Sequence, residues 1–262
     1  MYYRLPLFCK RISQQKRGRV ALFHSAEAII NGMKILSIET STMLGGVAVM
    51  DDREGLIAET KLNVKTTHSE RLMTVVHQTL SQSDLSLKDI DAFAVAIGPG
   101  SFTGLRIGLG TVKGLSYATG RPFVTVPTLE AFAWNFPFSP YPVCLMLDAR
   151  RSEVYTGVFK WENNGFRRVV EEISVKPAVF LKQLEGVVLF AGEGVTLYRE
   201  AIDQHMGHRA VIGTPDKMVP SPATVAMLGL DKAARGEYAG ASEAVPFYIR
   251  RSEAEVKWKE KQ

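Results

Sequence analysis

The sequence has little of what marks secreted, membrane-spanning or metal-binding proteins. Only two of its 262 residues are cysteine, too few for a disulfide framework or a cysteine-rich zinc site. No apolar run approaches the ~18 residues that a membrane-spanning helix needs. The five histidines include no H-x-x-x-H pair, the spacing that turns two imidazoles toward one metal ion. We therefore expect a cytoplasmic protein with no membrane segment and no metal site.

Three frequent signatures of catalysis or nucleotide binding are also missing. The sequence contains neither the G-x-S-x-G turn of serine hydrolases nor the G-x-x-x-x-G-K-[ST] loop that cradles phosphates. Gly98 and Gly100 are followed by Gly104, one residue too late for the dinucleotide motif G-x-G-x-x-G. These patterns therefore identify no catalytic residue.

The positive charge is confined to one end of the chain. The net charge is +5, but residues 1–32 hold six of the 32 lysines and arginines and one of the 27 acids. The remaining residues are balanced, which argues against a large surface that contacts phosphates. We favour the interpretation that residues 1–32 precede a true start at Met33. The alternatives are a disordered arm that binds RNA and a mitochondrial presequence.

From Met33 onward, short apolar strands alternate with amphipathic helices, which predicts an α/β protein. The first three strands are predicted over residues 35–38, 47–50 and 56–62, as an antiparallel meander joined by tight turns. The proline-rich stretch 135–142 predicts a domain boundary. We expect an N-terminal lobe over residues 33–138 and a C-terminal lobe over residues 139–262.

Two polar turns are candidates for binding an anion. The stretch Gly98–Gly108 lies between a predicted strand and a predicted helix, where free N–H groups and the helix dipole converge. The same glycines favour close packing, because Gly104 and Gly108 lie on one face of the helix. Spacing alone supports both interpretations equally. The second turn, Glu39–Thr42, combines an acid with three hydroxyls and is a weaker candidate for a phosphate held through a metal ion.

The first predicted helix has an unusually broad apolar stripe. Leu72, Val76 and Leu80 recur at intervals of four residues, and Met73 and Val75 widen the stripe. One interpretation is a helix that packs on its own sheet and contacts nothing else, and the periodicity favours it. The other is a helix whose second apolar edge meets another subunit.

Five motifs in a fixed order carry a resemblance to a known family. They are MKILSIETS (residues 33–41), HSERL (68–72), GPGSFTGLRIG (98–108), DARRSEVY (148–155) and YIRRSEAE (248–255). Together they resemble the glycoprotease-like (Gcp) family and, within it, the TsaB (YeaZ) branch. The resemblance extends from Met33 to about Glu255. It implies a two-lobed α/β fold of the actin/Hsp70/sugar-kinase-like (ASKHA) class with RNase H-like lobes.

The resemblance also implies a function and partners. Proteins of this branch are non-catalytic dimerisation or scaffold subunits. They act with a TsaD-like paralogous catalytic subunit and a TsaE-like ATPase to threonylcarbamoylate the adenosine next to the anticodon in tRNAs that read codons starting with A. The tRNA would be contacted indirectly, through the complex. The alternative is a stand-alone ATP-binding enzyme of the same fold or a glycoprotease-like metallopeptidase.

Two sets of residues follow from the resemblance. The pairing surface of the family implies Leu72, Met73, Val76 and Leu80 on the first helix and Gly104, Gly108 and Thr111 on the second. The same surface would form homodimers when the partner is absent. Positions that hold phosphate in nucleotide-binding relatives are matched by Glu39, Thr40, Ser41, Gly98, Gly100, Ser101, Thr103, Gly104 and Arg106. We expect this second site to be degenerate, with no tightly bound cofactor and with ATP or ADP only at the interface of the complex.

Overall fold

The structure, a computed structural model, describes residues 32–63 and 68–250, apart from the side chains of residues 62, 63 and 68–70. This part of the chain divides into two compact units. The first unit comprises residues 32–132 and 220–250, and the second unit comprises residues 133–219. The predictions for residues 1–31 and for the end of the YIRRSEAE motif lie outside the described residues.

Strands and helices alternate as the sequence predicts. In chain order the strands are β1 Lys34–Glu39, β2 Leu44–Asp51, β3 Gly55–Asn63, β4 Ala92–Ala96, β5 Phe123–Val126, β6 Val143–Asp148, β7 Val154–Glu162, β8 Gly165–Val175, β9 Val188–Ala191 and β10 Ala210–Ile212. The helices are α1 His68–Ser81, α2 Phe102–Thr119, α3 Thr128–Ala133, α4 Pro177–Leu181, α5 Glu193–Leu197, α6 Arg199–Met206 and α7 Pro222–Ala234. No helix in this part of the chain is both long enough and apolar enough to cross a membrane.

Each unit contains one five-stranded sheet, and the two sheets have the same topology. In the first unit the order is β3-β2-β1-β4-β5, with antiparallel pairing among β1, β2 and β3 and parallel pairing from β1 through β4 to β5. In the second unit the order β8-β7-β6-β9-β10 repeats this pattern. The predicted α/β fold with two RNase H-like lobes is confirmed by this strand order, and so is the meander of the first three strands.

The sheet of the first unit is covered by helices on both faces. Because side chains alternate along a strand, Leu36 and Ile38 point to one face and pack with the buried residues of α1 and α2. Ser37 points to the opposite face, where its hydroxyl donates to the carbonyl oxygen of Pro222 at 2.7 Å. Helix α7 packs closely on that face. The close approach needs a glycine at position 229, because a Cβ atom there would lie 2.6 Å from the Cβ of Ala94. The core of this unit therefore lies on both sides of β1 and β4.

The C-terminal part of the chain belongs to the first unit, which differs from the predicted continuous lobe 139–262. The Glu59 carboxylate of β3 accepts hydrogen bonds from the Ser221 hydroxyl and, at 3.1 Å, from the backbone N–H of Ala223. An acid at a helix N-terminus satisfies N–H groups that lack partners within the helix and complements the helix dipole. Further along, the N–H of Ala239 donates to the carbonyl oxygen of Phe123 at 2.8 Å. These contacts return residues 220–250 to the first sheet.

Helix α2 approaches the end of β1 so closely that two glycines are required. A Cβ atom at Gly104 would overlap the carbonyl oxygen of Thr40, and one at Gly108 would overlap the Thr40 hydroxyl. The Thr40 hydroxyl donates to the carbonyl oxygen of Gly104 at 2.8 Å. The close-packing interpretation of Gly104 and Gly108 is confirmed. Gly110, on the same helix, has open space where a Cβ would lie.

The two glycines should therefore respond in opposite ways to alanine. Gly104→Ala should lower the free energy of unfolding by about 1–3 kcal/mol, because the added methyl group overlaps a backbone atom. Gly110→Ala should raise it by about 0.5–1 kcal/mol, because alanine loses less backbone entropy in a helix. Chemical denaturation followed by circular dichroism measures both changes. Equal effects of the two substitutions would contradict the packing described above.

Candidate functional site

A polar turn follows β1 in the interior of the first unit. Glu39, Thr40, Ser41 and Thr42 are all buried, although each carries a polar side chain. Buried polar groups ordinarily have hydrogen-bond partners, since leaving one unpaired costs about 1–3 kcal/mol. The turn therefore concentrates polar chemistry at the end of the central strand, where ligands bind in many α/β proteins.

The Glu39 carboxyl is the most perturbed group of this turn. One of its oxygens, Oε1, accepts the backbone N–H of Ser41 at 2.5 Å. Its other oxygen, Oε2, and the Ser41 hydroxyl are buried without a hydrogen-bond partner among the described residues. Burial raises the pKa of Glu39 from its ordinary value of 4.5 to about 7, although the hydrogen bond from the Ser41 backbone opposes the rise. The site therefore contains a buried acid whose charge depends on pH near neutrality.

The glycine-rich turn lies directly against this polar turn. A Cβ atom at Gly100 would lie 2.5 Å from the carbonyl oxygen of Ser41, and the N–H of Ser101 donates to that oxygen at 2.6 Å. The N–H of Gly98, whose φ is +115°, donates to the Thr128 hydroxyl at 3.0 Å. The Ser101 hydroxyl accepts the N–H of Gly104 at 3.3 Å. Several N–H groups that would bind a phosphate are thus already engaged within the protein.

Arg106 is directed toward the C-terminal part of the first unit. Its Nε donates to the Tyr248 hydroxyl at 2.9 Å, and its guanidinium carbon lies 3.9 Å from the centre of the Phe102 ring. The rings of Phe102 and Tyr248 are stacked with their centres 4.7 Å apart. Thr103, in the first turn of α2, is exposed. Thr103 and Arg106 therefore lie apart from the buried group formed by the turns after β1 and β4.

Tyr248 and Phe102 are parts of this site that sequence patterns did not identify. Both lie in motifs that carry the family resemblance, but 146 residues separate them in the chain. No local periodicity connects positions so far apart. The backbone bond from Phe247 N–H to the carbonyl oxygen of Ile97, at 2.7 Å, places Tyr248 beside the start of α2. Only the fold could reveal that pairing.

The predicted pairing surface needs correction on α1. Leu72, Val76 and Leu80 are buried in the core of the first unit, and Val76 is only 1% exposed. The stripe therefore packs within its own unit, where α1 lies against β2, β3 and α2. Met73, by contrast, is 49% exposed.

The predicted surface needs the same correction on α2. Gly104 and Gly108 face Thr40 within the unit, and Thr111 is half-buried. Neither glycine is therefore available on the outside of the helix.

A different set of residues forms the outside of these two helices. Met73 on α1 and Ile107, Gly110, Gly114 and Tyr117 on α2 are exposed or half-buried, and Tyr117 is 94% exposed. The α2 residues recur at intervals of three and four, so they lie along one side of the helix. Helices α1 and α2 pack against each other. We call these five residues the outer helix face.

The second unit has a simpler polar group at the matching strand end. Asp148 ends β6, and its carboxylate pairs with the Arg150 guanidinium at 3.2 Å. Asp148 also accepts the backbone N–H of Arg150 at 2.8 Å. Burial raises the pKa of nearby Glu193. This group explains the DARR motif as a local ion pair and a turn.

The raised pKa of Glu39 predicts that stability depends on pH. Between pH 4.5 and about 7 the folded protein keeps a proton that the unfolded chain releases, so the free energy of unfolding falls as pH rises. Complete deprotonation of Glu39 would lower the free energy of unfolding by about 3 kcal/mol. Glu39→Gln should remove this component, because a neutral amide has no proton to lose. Denaturation from pH 5 to pH 8 measures the difference, and parallel pH profiles for the two proteins would contradict the prediction.

Comparisons with known proteins identify relatives of this chain. The family model described as TsaD, tRNA N6-adenosine threonylcarbamoyltransferase, matches residues 55–258. The chain is 36% identical over 233 residues to the tRNA threonylcarbamoyladenosine biosynthesis protein TsaB of Bacillus subtilis, covering 88% of this chain and 100% of that protein. It is 31% identical over 236 residues to the Escherichia coli protein of the same name, covering 87% and 97%.

A solved structure is similar as well. YeaZ from Pseudomonas aeruginosa is 28% identical and superimposes with a TM-score of 0.70, covering 82% of this chain and 99% of that chain. These relatives thus match this chain over almost their whole length. The chain belongs to the TsaB (YeaZ) family.

Proposed function

We propose that this chain is a non-catalytic scaffold subunit in the synthesis of threonylcarbamoyladenosine in tRNA. The observation that carries the proposal is the full-length match to the Bacillus subtilis protein named for that pathway. The catalytic step belongs to a TsaD-like paralogue, and a TsaE-like ATPase acts beside it. The modified base is the adenosine next to the anticodon in tRNAs that read codons starting with A, and the tRNA is held mainly by the partners.

The geometry of the polar turns supports a role other than nucleotide chemistry. Ser101 and Gly98 use their N–H groups within the protein, and Arg106 is engaged by Tyr248. A buried carboxyl at Glu39 disfavours a second negative charge beside it. In this proposal the isolated chain binds no nucleotide tightly, and ATP or ADP is held only at the interface of the assembled complex.

The outer helix face is the surface that we assign to the partner. Met73 and Tyr117 expose apolar groups there, and the glycines at 110 and 114 let another backbone approach closely. The same face would hold a second copy of the chain when the partner is absent. The proposed compartment is the cytoplasm. The names of the relatives do not favour a stand-alone ATP-dependent enzyme or a metallopeptidase.

Reconstitution tests the proposed function directly. The TsaD-like paralogue, the TsaE-like ATPase, tRNA and the threonylcarbamoyl-AMP donor should yield modified tRNA only when this chain is added, as measured by mass spectrometry of digested tRNA. This chain without the paralogue should yield none. Modification at an equal rate without this chain would refute the proposal.

A single substitution tests the assigned surface. Met73→Glu should abolish association with the paralogue, because it buries a charge in an apolar interface. The substitution should leave the free energy of unfolding within about 0.5 kcal/mol, because Met73 is exposed. Size-exclusion chromatography of the mixed subunits measures association.

The matched control is Val179→Glu on α4. Val179 is 52% exposed, so it receives the same change at a similarly exposed apolar position of the second unit. We expect the control to bind the paralogue like the unmodified chain. If Met73→Glu also binds normally, the partner lies elsewhere.

A further inference from the structure

The turn between β6 and β7 has a backbone conformation that its residues ordinarily avoid. Arg150, Arg151 and Ser152 have φ values of +61°, +53° and +60°, so three consecutive residues lie in the left-handed region. That region is unfavourable for most residues with a Cβ atom, whereas glycine, asparagine and aspartate adopt it far more readily. None of those three residue types occupies the left-handed positions of this turn.

Hairpin geometry explains the backbone of this turn but not the choice of its residues. The N–H of Glu153 donates to the carbonyl oxygen of Arg150 at 3.1 Å, which closes a tight turn around Arg151 and Ser152. Left-handed central residues match the twist of the flanking strands, and asparagine followed by glycine is the usual choice there. An arginine and a serine at these positions, preceded by a second arginine, therefore require another reason.

Packing does not supply that reason, because all three left-handed residues are exposed. The Arg150 side chain is 78% exposed, whereas the acids of the same motif are bonded within the unit. Asp148 is only 16% exposed and pairs with the Arg150 guanidinium at 3.2 Å. The Glu153 carboxylate accepts the Ser174 hydroxyl at 2.8 Å. The turn therefore presents its cations to the outside and uses its carboxylates inside.

The Asp148 carboxylate holds Arg150 both at its backbone and at its tip. It accepts the backbone N–H of Arg150 at 2.8 Å and lies 3.2 Å from the guanidinium of the same residue. A side chain that is already oriented loses less rotamer freedom when it binds a ligand. The guanidinium has five N–H donors in a planar fork, so one carboxylate contact leaves donors for an anion.

The phosphates of a nucleic acid suit this turn better than an acidic protein surface does. Guanidinium groups bind phosphate through paired hydrogen bonds. Residues 150–152 present no apolar side chain, whereas a protein interface is built around an apolar core. Contacts to a nucleic-acid backbone are made largely by arginine, lysine and hydroxyl side chains, and this turn presents two arginines and a hydroxyl.

We propose that the β6–β7 turn binds phosphate groups of the tRNA backbone through Arg150, Arg151 and the Ser152 hydroxyl. The proposal rests on the proposed function in that the RNA is the tRNA on which the complex acts. It adds one direct contact by this chain to a tRNA that the partners otherwise hold. A single turn is compatible with the balanced charge of residues 33–262, because it is a small contact and not a large basic surface.

Neutralising both arginines tests this contact. Arg150→Gln combined with Arg151→Gln removes two positive charges from the turn. Fluorescence anisotropy at several salt concentrations then measures the binding of a tRNA transcript to the complex of this chain with the paralogue. The matched control is Arg167→Gln combined with Arg199→Gln. Those two arginines lie in the same unit, are also exposed, and each pairs with an acid as Arg150 does.

We expect the turn variant to bind tRNA about tenfold more weakly at low salt, with the control within about twofold of the unmodified complex. The slope of log affinity against log salt should become smaller by about two in the turn variant, because each lost phosphate contact lowers it by about one. Arg150→Lys combined with Arg151→Lys should restore most of the slope, because lysine keeps the charge. A turn variant that binds tRNA like the unmodified complex would overturn the proposal.

Further outcomes separate the phosphate contact from a protein contact and from the proposed function. If the turn variant no longer associates with the paralogue in size-exclusion chromatography, the turn binds an acidic protein surface and the RNA contact is wrong. If the unmodified complex binds tRNA through the turn but does not modify it, the phosphate contact stands and the proposed function falls. If the complex modifies tRNA and the turn variant keeps full tRNA affinity, the proposed function stands and the phosphate contact falls.

Discussion

The contact between the end of β1 and the backbone of α2 is the constraint on which the first unit depends. Thr40 lies against Gly104 and Gly108, and its hydroxyl binds the Gly104 carbonyl. Because no side chain fits between them, the helix is fixed both in height above the sheet and in rotation about its axis. That rotation turns Leu105, Leu109 and Val112 inward and leaves the outer helix face exposed. The exposed side of the helix is thus a consequence of packing at the site of the polar turns.

The same contact brings the two polar turns together. Once α2 is seated on Thr40, the glycine turn before it lies on Ser41 and uses the Ser41 carbonyl as an acceptor. Glu39 is buried beneath this turn with one carboxyl oxygen unpaired. The free-energy cost of that unpaired oxygen must be offset by packing elsewhere in the unit. The second unit repeats the topology but leaves Asp148 paired with an arginine that is itself exposed. The two units therefore share a topology but differ at this strand end, which is a buried carboxyl in the first unit and an ion pair with an exposed arginine in the second.

Local patterns predicted the elements of the fold but not the long-range pairings. Alternation and turn residues correctly predicted β1 to β3. The helical periodicity correctly predicted that Leu72, Val76 and Leu80 lie on one buried face of α1. Periodicity alone could not show what covers such a stripe. The position of α7 depends on Glu59 and Ser221, which lie 162 residues apart in the chain. No motif of fixed spacing encodes a contact of that kind.

At the candidate site, too, the sequence predicted local features but not the long-range contacts. The family resemblance predicted that the polar turn and the glycine-rich turn belong to one site. In the structure they lie together, because they follow the neighbouring strands β1 and β4. Arg106 was predicted to bind phosphate because a guanidinium group suits an anion. In the structure its guanidinium group instead contacts the Tyr248 hydroxyl and the Phe102 ring. Gly104 and Gly108 illustrate the general difficulty: two glycines four apart permit close approach, but the identity of the approaching group depends on tertiary structure.

The net charge of the chain does not describe the charge of each part of its surface. The basic excess of the whole chain lies in residues 1–32, and the remainder holds 26 basic and 26 acidic residues. A neutral total nevertheless contains a helix pair with three cations and one acid. Screening limits exposed charges to a range of about 10 Å at ordinary salt, so a docking partner senses the helix pair and not the total. A neutral total therefore does not exclude a local excess of positive charge on one pair of helices.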